Sequence, residues 1–189
     1  MKLGLFAINY GTCAEPESAI EVAQYAETAG FESVWTGEHI VLPDPPRAGS
    51  TIAPTLPFLD TTVALTLVAT HTTTVRVASG IIILPLRNPV LLAKELAGID
   101  VVSNGRLIVG VGAGYVPEEF ATVGVPLSER GARMDDAIRA LRVLWAMERP
   151  QYQGRFGNPT PPRPTATARS PLTESSGTST PSHERCSSP

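Results

Sequence analysis

Cysteine is scarce in this chain: 189 residues contain two, Cys13 and Cys186, near opposite ends. So distant a pair cannot form the disulfide framework of a small secreted domain, and reduced thiols in a cytoplasmic protein are the expectation. Basic clusters are missing as well. Fifteen Lys and Arg stand against 18 Asp and Glu, for a formal net charge of −3, whereas a nucleic-acid partner needs grouped cations to neutralise phosphates. The longest apolar region, IIILPLRNPVLLAKELAG, is interrupted by Arg87, Lys94 and two prolines, which excludes it as a bilayer span. The N-terminal LGLFAI is too short for a signal-peptide core and runs into Asn9 and Tyr10. Three histidines without ligand-like spacing predict no metal site. Neither a G-x-S-x-G elbow nor a P-loop occurs.

Large apolar residues are absent from the last part of the chain. Residues 157–189 hold seven Pro, seven Ser, six Thr and one large aliphatic side chain, Leu172. Such a segment buries too little apolar area to offset its ordering entropy, so a disordered tail is predicted there. Its abrupt onset after QYQGRF suggests a frame shift, which reading the other two frames beyond codon 157 would test; if neither encodes further strand and helix patterns, a natural truncation is the expectation instead. The core must lie in residues 1–156, which carry a net charge of about −4.

Within that portion strands and helices alternate. LGLFAI is a short apolar run suited to a strand covered on both faces. A helix follows, with Pro16 suited to its first position, Glu17 and Glu21 near its positive end, Ile20, Ala23, Ala26 and Ala29 at helical spacing, and Gly30 at its end. SVWT is the second strand. LDTTVALTLVATHT then predicts a helix, VRVASGIIIL a third strand, NPVLLAKELAGIDVVS a helix and RLIVGVG a fourth strand. Residues 128–148 predict the last helix, with Ser128 as its cap. This alternation implies an α/β fold with a parallel sheet.

Two architectures share the pattern, the doubly wound sheet and the (β/α)8 barrel. GVGAG at 110–114 lacks the third glycine of a dinucleotide fingerprint, because Tyr115 stands in its place and Pro117 follows. The glycines are read instead as points of close backbone approach. A barrel takes about 250 residues and eight strands, and this chain has material for four. The expected fold is therefore a partial (β/α)8 TIM-type barrel of about four βα units.

In parallel α/β folds, the chemistry sits where strands run into helices, because those loops converge on one mouth. Glu38 and His39 follow the second strand there, and Asn9 and Tyr10 follow the first. Ser79, Gly80 and Ile81 lie in the third, where Ser79 and Gly80 suggest a bulge or a close ligand. Gly112, Gly114 and Tyr115 end the fourth. Arg130 and Arg133 oppose the dipole at the start of the last helix, so Glu118 and Glu119, or a bound anion, are expected to compensate them.

The blocks MKLGLFAINYG, AETAGFESVWTGEHIVLPDPP, ASGIIILPLRNPVLLAKELAGIDVVSNGRLIVGVGAGY and ERGARMDDAIRAL, in this order over residues 1 to about 156, resemble the luciferase-like monooxygenase superfamily, closest to its deazaflavin-dependent oxidoreductases. The resemblance implies a barrel enzyme, usually homodimeric, that binds coenzyme F-420 (8-hydroxy-5-deazaflavin) or, alternatively, FMN at the C-terminal mouth and acts on a small organic molecule. It places a bulge with a non-prolyl cis peptide at Ser79, Gly80 and Ile81 behind the ring, and His39 near its reacting face. Asn9, Gly112 and Tyr115 are the other expected cofactor contacts. His39 and Glu38 are the expected catalytic pair, with Glu38 orienting the imidazole. F-420 implies hydride transfer, and FMN implies monooxygenation. In such barrels the cofactor phosphate is held beyond the seventh strand, so weak coenzyme binding is expected of these four units, as are open sheet edges at the first and fourth strands. A non-catalytic remnant serving as an interaction fragment is the reading from a different class.

Overall fold

The computed structural model describes residues 1–47 and 52–156. The tail expected over 157–189 lies outside the described residues. Strands β1 (Gly4–Phe6), β2 (Ser33–Thr36), β3 (Arg76–Ser79) and β5 (Leu107–Ile108) form one parallel sheet in the order β1-β2-β3-β5. Helices α1 (Pro16–Thr28), α2 (Thr61–His71) and α3 (Pro89–Val102) make the crossovers. Two further short strands, β4 (Ile82–Ile83) and β6 (Val111–Gly112), pair in parallel beyond the ends of β3 and β5. Helices α4 (Pro117–Thr122) and α5 (Arg130–Ala146) complete the order. These are four βα units of a barrel, with β1 and β5 at the edges of the sheet.

The helix starts follow local chemistry. Pro16 and Pro89 occupy first-turn positions of α1 and α3, where a missing N–H costs nothing. Asp60 caps α2 by accepting from Thr62 N at 2.8 Å and Val63 N at 3.3 Å. Asn88 does the same for α3 with Val90 N and Leu91 N, satisfying donors that have no intrahelical partner. Gly30, at φ 82°, ends α1 in the left-handed region.

Two of the expected strands are broken. The third, expected over residues 75–84 with a bulge at Ser79 and Gly80, divides there into β3 and β4, and the fourth divides into β5 and β6. The Ser79 hydroxyl donates to Gly110 O and accepts from Gly110 N, both at 2.9 Å. A side chain thus replaces the main-chain ladder at this level. A Cβ on Gly110 would lie 2.2 Å from Ser79 O, so the exchange requires glycine. The Gly80–Ile81 peptide is cis, where the bulge was expected.

The start of the last helix also differs. A 3-10 turn at Leu127–Glu129 precedes α5, and the cap position is Glu129 rather than Ser128. Glu129 N donates to Pro126 O, so the tight turn itself satisfies the backbone there. α4, opened by Pro117, was not anticipated.

The core lies between the sheet and its helices. Val34 and Val77 face Leu65, Val68, Leu92 and Leu96, all essentially inaccessible. On the opposite face, directed at what would be the barrel interior, Phe6 remains 52 % exposed. The base of the sheet, where strands begin, is held by polar staples. The Arg106 guanidinium donates to Ser103 O, Thr72 Oγ1, Val75 O, Ala69 O and Thr72 O, tying the end of α2 to the start of β3.

Glu27 of α1 binds the same turn. Its carboxylate accepts from the backbone N–H groups of Thr73, Thr74 and Val75. Burial alone would raise this carboxyl, but the donors from Thr74, Val75 and Thr73 outweigh it and hold it at about 2, against 4.5 ordinarily. A depressed carboxylate adds stability that is complete above the unfolded value and disappears as pH falls from about 4.5 towards 2. Glu27→Gln should therefore cost about 1 kcal/mol at pH 7, allowing for solvent screening. Urea midpoints measured from pH 7 to pH 2.5 should show the gap between wild type and variant closing. A pH-independent gap would refute the assignment.

Candidate active site

The strand ends surround a cavity of about 410 Å³. Glu38, His39, Gly80, Ile81, Gly112 and Tyr115 line it, six of the eight residues expected at the site. Phe6, Tyr10, Leu56 and Phe58 supply an apolar wall, with Tyr10 and Phe58 stacked at 4.7 Å between ring centroids. Gly80 and Gly112 expose backbone along the lining, and the space before Gly112 is filled by Ile81, which a Cβ there would meet at 2.7 Å. Glycine at these two positions makes room for the neighbouring Ile81, Phe6 and Trp35 side chains. Apolar walls with a few convergent polar groups are the common form of a small-molecule site.

Asn9 and Ser79 fall outside the lining. Asn9 is fully buried, donates to Gly37 O at 2.9 Å and Leu59 O at 2.8 Å, and accepts from Gly37 N at 2.8 Å. With donors and acceptor all engaged, it braces the turn carrying Glu38 and His39. Ser79 is fully occupied with Gly110. Each supports the wall from behind.

The Glu38 and His39 side chains are not partners. The Glu38 carboxylate accepts from Ile83 N and from Arg87 Nη2, and its side chain is 3 % exposed. Arg87 also reaches Asp60 at 3.1 Å, so a partly buried cation bridges the turn after β2 to the cap of α2. The imidazole instead meets Glu119 of α4, whose Oε1 lies 3.2 Å from His39 Nδ1 and accepts from Ile40 N at 2.8 Å. His39 packs edge-on against Phe58 and Tyr115, with centroids 5.6 and 6.3 Å away. Nδ1 being engaged, Nε2 is the nitrogen left for a ligand.

The compensation expected for Arg130 and Arg133 comes from elsewhere. Arg133 pairs with Glu129 at 2.8 Å, and Arg130 donates to Leu127 O. Glu118 instead pairs with Arg47 at 3.0 Å. One turn of helix puts Glu129 beside Arg133, which is nearer than α4 can come. Among the described residues, no group of three or more His, Cys, Asp or Glu could hold a metal ion, and no helix is long and apolar enough to cross a membrane.

An α/β half barrel with an apolar, glycine-floored cavity and one histidine at its mouth defines a class of small-molecule enzyme fold. The luciferase-like monooxygenase family matches residues 1–183, and the chain belongs to this family. It is 32 % identical over 142 residues to the oxygenase component of the flavin-dependent trigonelline monooxygenase of Acinetobacter baylyi, covering 74 % of this chain and 36 % of the relative. It is 30 % identical over 160 residues to the F420-dependent glucose-6-phosphate dehydrogenase of Amycolatopsis mediterranei, covering 80 % and 45 %. Among solved structures, monooxygenase RslO1 from Streptomyces bottropensis superposes with a TM-score of 0.69 at 28 % identity, over 90 % of this chain and 52 % of that one. An F420-dependent secondary alcohol dehydrogenase in complex with an F420-acetone adduct shares the fold, with a TM-score of 0.67 at 22 % identity over 88 % and 50 %. The chain spans about half the length, or less, of the curated relatives it matches.

Proposed function

We propose that this chain supplies the ring-binding half of a flavin- or deazaflavin-dependent oxidoreductase site, with hydride transfer between coenzyme F-420 and a small organic substrate as the reaction. The observation that carries this reading is His39 beside a glycine-floored apolar cavity, in a chain related to an F420-dependent dehydrogenase. The cavity suits a planar tricyclic ring: Gly80, Ile81 and Gly112 would lie against it, and Tyr10 and Phe58 would border it. A bound deazaflavin would exchange a hydride through a ring carbon, accepting it where His39 takes a proton from a substrate hydroxyl and donating it in the reverse direction. This chain's residues would exclude water, orient the ring and move a proton at His39 Nε2, for which an imidazole is suited near neutral pH.

Monooxygenation with FMN is the second reading, favoured by the equally similar flavin-dependent relative. The two separate by titration of the full chain with reduced F-420 and with FMN. Fluorescence changes at micromolar F-420, with none at the same FMN concentration, support hydride transfer, and the reverse order supports monooxygenation. No response to either at millimolar concentration overturns both and leaves the interaction-fragment reading.

A further inference from the structure

Glu119 is the least expected residue in the site. It stands on α4, 80 positions from His39, and its side chain is 1 % exposed. One oxygen, Oε1, takes both the Ile40 N–H and the His39 ring nitrogen, while Oε2 is buried without a hydrogen-bond partner. A carboxylate enclosed this way is costly, and an orphaned oxygen in a folded interior calls for an explanation. Anchoring Ile40 N–H would need only an amide or a hydroxyl, neither of which brings a charge into the interior. Contact with an imidazole does explain the choice, because a carboxylate accepts and never donates.

We infer that Glu119 is the positioning residue of His39, holding the neutral imidazole with its proton on Nδ1 so that Nε2 presents a lone pair to the cavity. The inference rests on the proposed role of His39. An acceptor-only partner at Nδ1 admits only the tautomer protonated there. The same oxygen fixes the backbone of the next residue, so ring orientation and loop position are set by one atom. Phe58 and Tyr115, edge-on to the ring, restrict its rotation about the Cβ–Cγ bond. A substrate hydroxyl would then meet a proton acceptor, and the resulting imidazolium would face the Glu119 carboxylate at 3.2 Å.

The test is long-range ¹H–¹⁵N NMR of the full chain labelled on histidine, at a pH where the rings are neutral. His39→Gln and His71→Gln variants identify the signals. Wild type should show His39 protonated on Nδ1. Glu119→Gln brings an amide that can donate as well as accept and should give a mixture of the two tautomers, whereas Glu119→Leu should shift it to the Nε2–H form that predominates in free imidazole. If the Leu variant does not fold, the wild-type and Gln spectra still decide. An Nε2–H tautomer in wild type, or an unchanged one in a folded Glu119→Leu, overturns the inference. In turnover, Glu119→Leu should lower kcat by about 10–100-fold with KM little changed, by analogy with removal of the partner that orients a metal-ligating imidazole, and Gln should fall between Leu and wild type. An Nδ1–H tautomer in a chain that binds neither coenzyme would sink the functional reading alone. Coenzyme binding with the opposite tautomer would sink the positioning role alone.

Discussion

Arg87→Leu is expected to destabilise the fold by about 3–5 kcal/mol, the usual cost of stranding one member of a buried ion pair. Glu38 is the member left behind. Its side chain is 3 % exposed, and without Arg87 its carboxylate would retain only the Ile83 N–H. Burial alone would lower the Arg87 guanidinium, but Glu38 and then Asp60 outweigh that effect and raise it, so the cation is firmly charged. Its Nε is buried without a partner, hence the arginine is present for its Nη2 contacts. Asp60 is 43 % exposed on its side chain, and water can replace what it loses. Since a domain of this size has about 5–15 kcal/mol in all, the change should be plain in a urea melt followed by far-UV circular dichroism. The double variant Glu38→Leu, Arg87→Leu removes both charges together and should recover most of the loss. A single-variant cost below about 1 kcal/mol would mean that the pair behaves as a surface bridge.

Under the hydride-transfer reading proposed above, His39→Gln is expected to lower kcat by about 10²–10⁴-fold, the range for removal of a positioned general acid or base, while leaving coenzyme binding nearly intact. Steady-state turnover followed by deazaflavin absorbance reads the first quantity, and fluorescence titration reads the second. Glutamine keeps a polar side chain of similar reach, so Glu119 and Ile40 need not repack. Equal losses in kcat and in coenzyme affinity would show that His39 only shapes the cavity. An unchanged kcat would remove it from the chemistry.

Much of this site was legible before any coordinates. Alternating apolar runs and helical spacings implied parallel βα units, and that topology alone brings Glu38, His39, Gly80, Ile81, Gly112 and Tyr115 to one mouth. The bulge was visible as Ser79 and Gly80 interrupting a branched strand. Asn9 follows the first strand but, expected as a cofactor contact, lies behind the cavity wall, held by three hydrogen bonds to Gly37 and Leu59 that no local pattern encodes. Glu38 and His39 are adjacent in sequence and looked like partners. On a turn leaving a strand, successive side chains diverge, and the two reach Arg87 and Glu119 instead.

The order of elements, the strand ends that share one mouth and the presence of His39 among them are all readable from residue order, because each depends on periodicity or on succession along the chain. Which side chains meet across the fold is not readable in this way. Glu38 with Arg87 and His39 with Glu119 are separated by 49 and 80 residues. Contacts of that range are set by how helices seat against a finished sheet, and α4, which carries Glu119, has too few residues to announce itself by spacing.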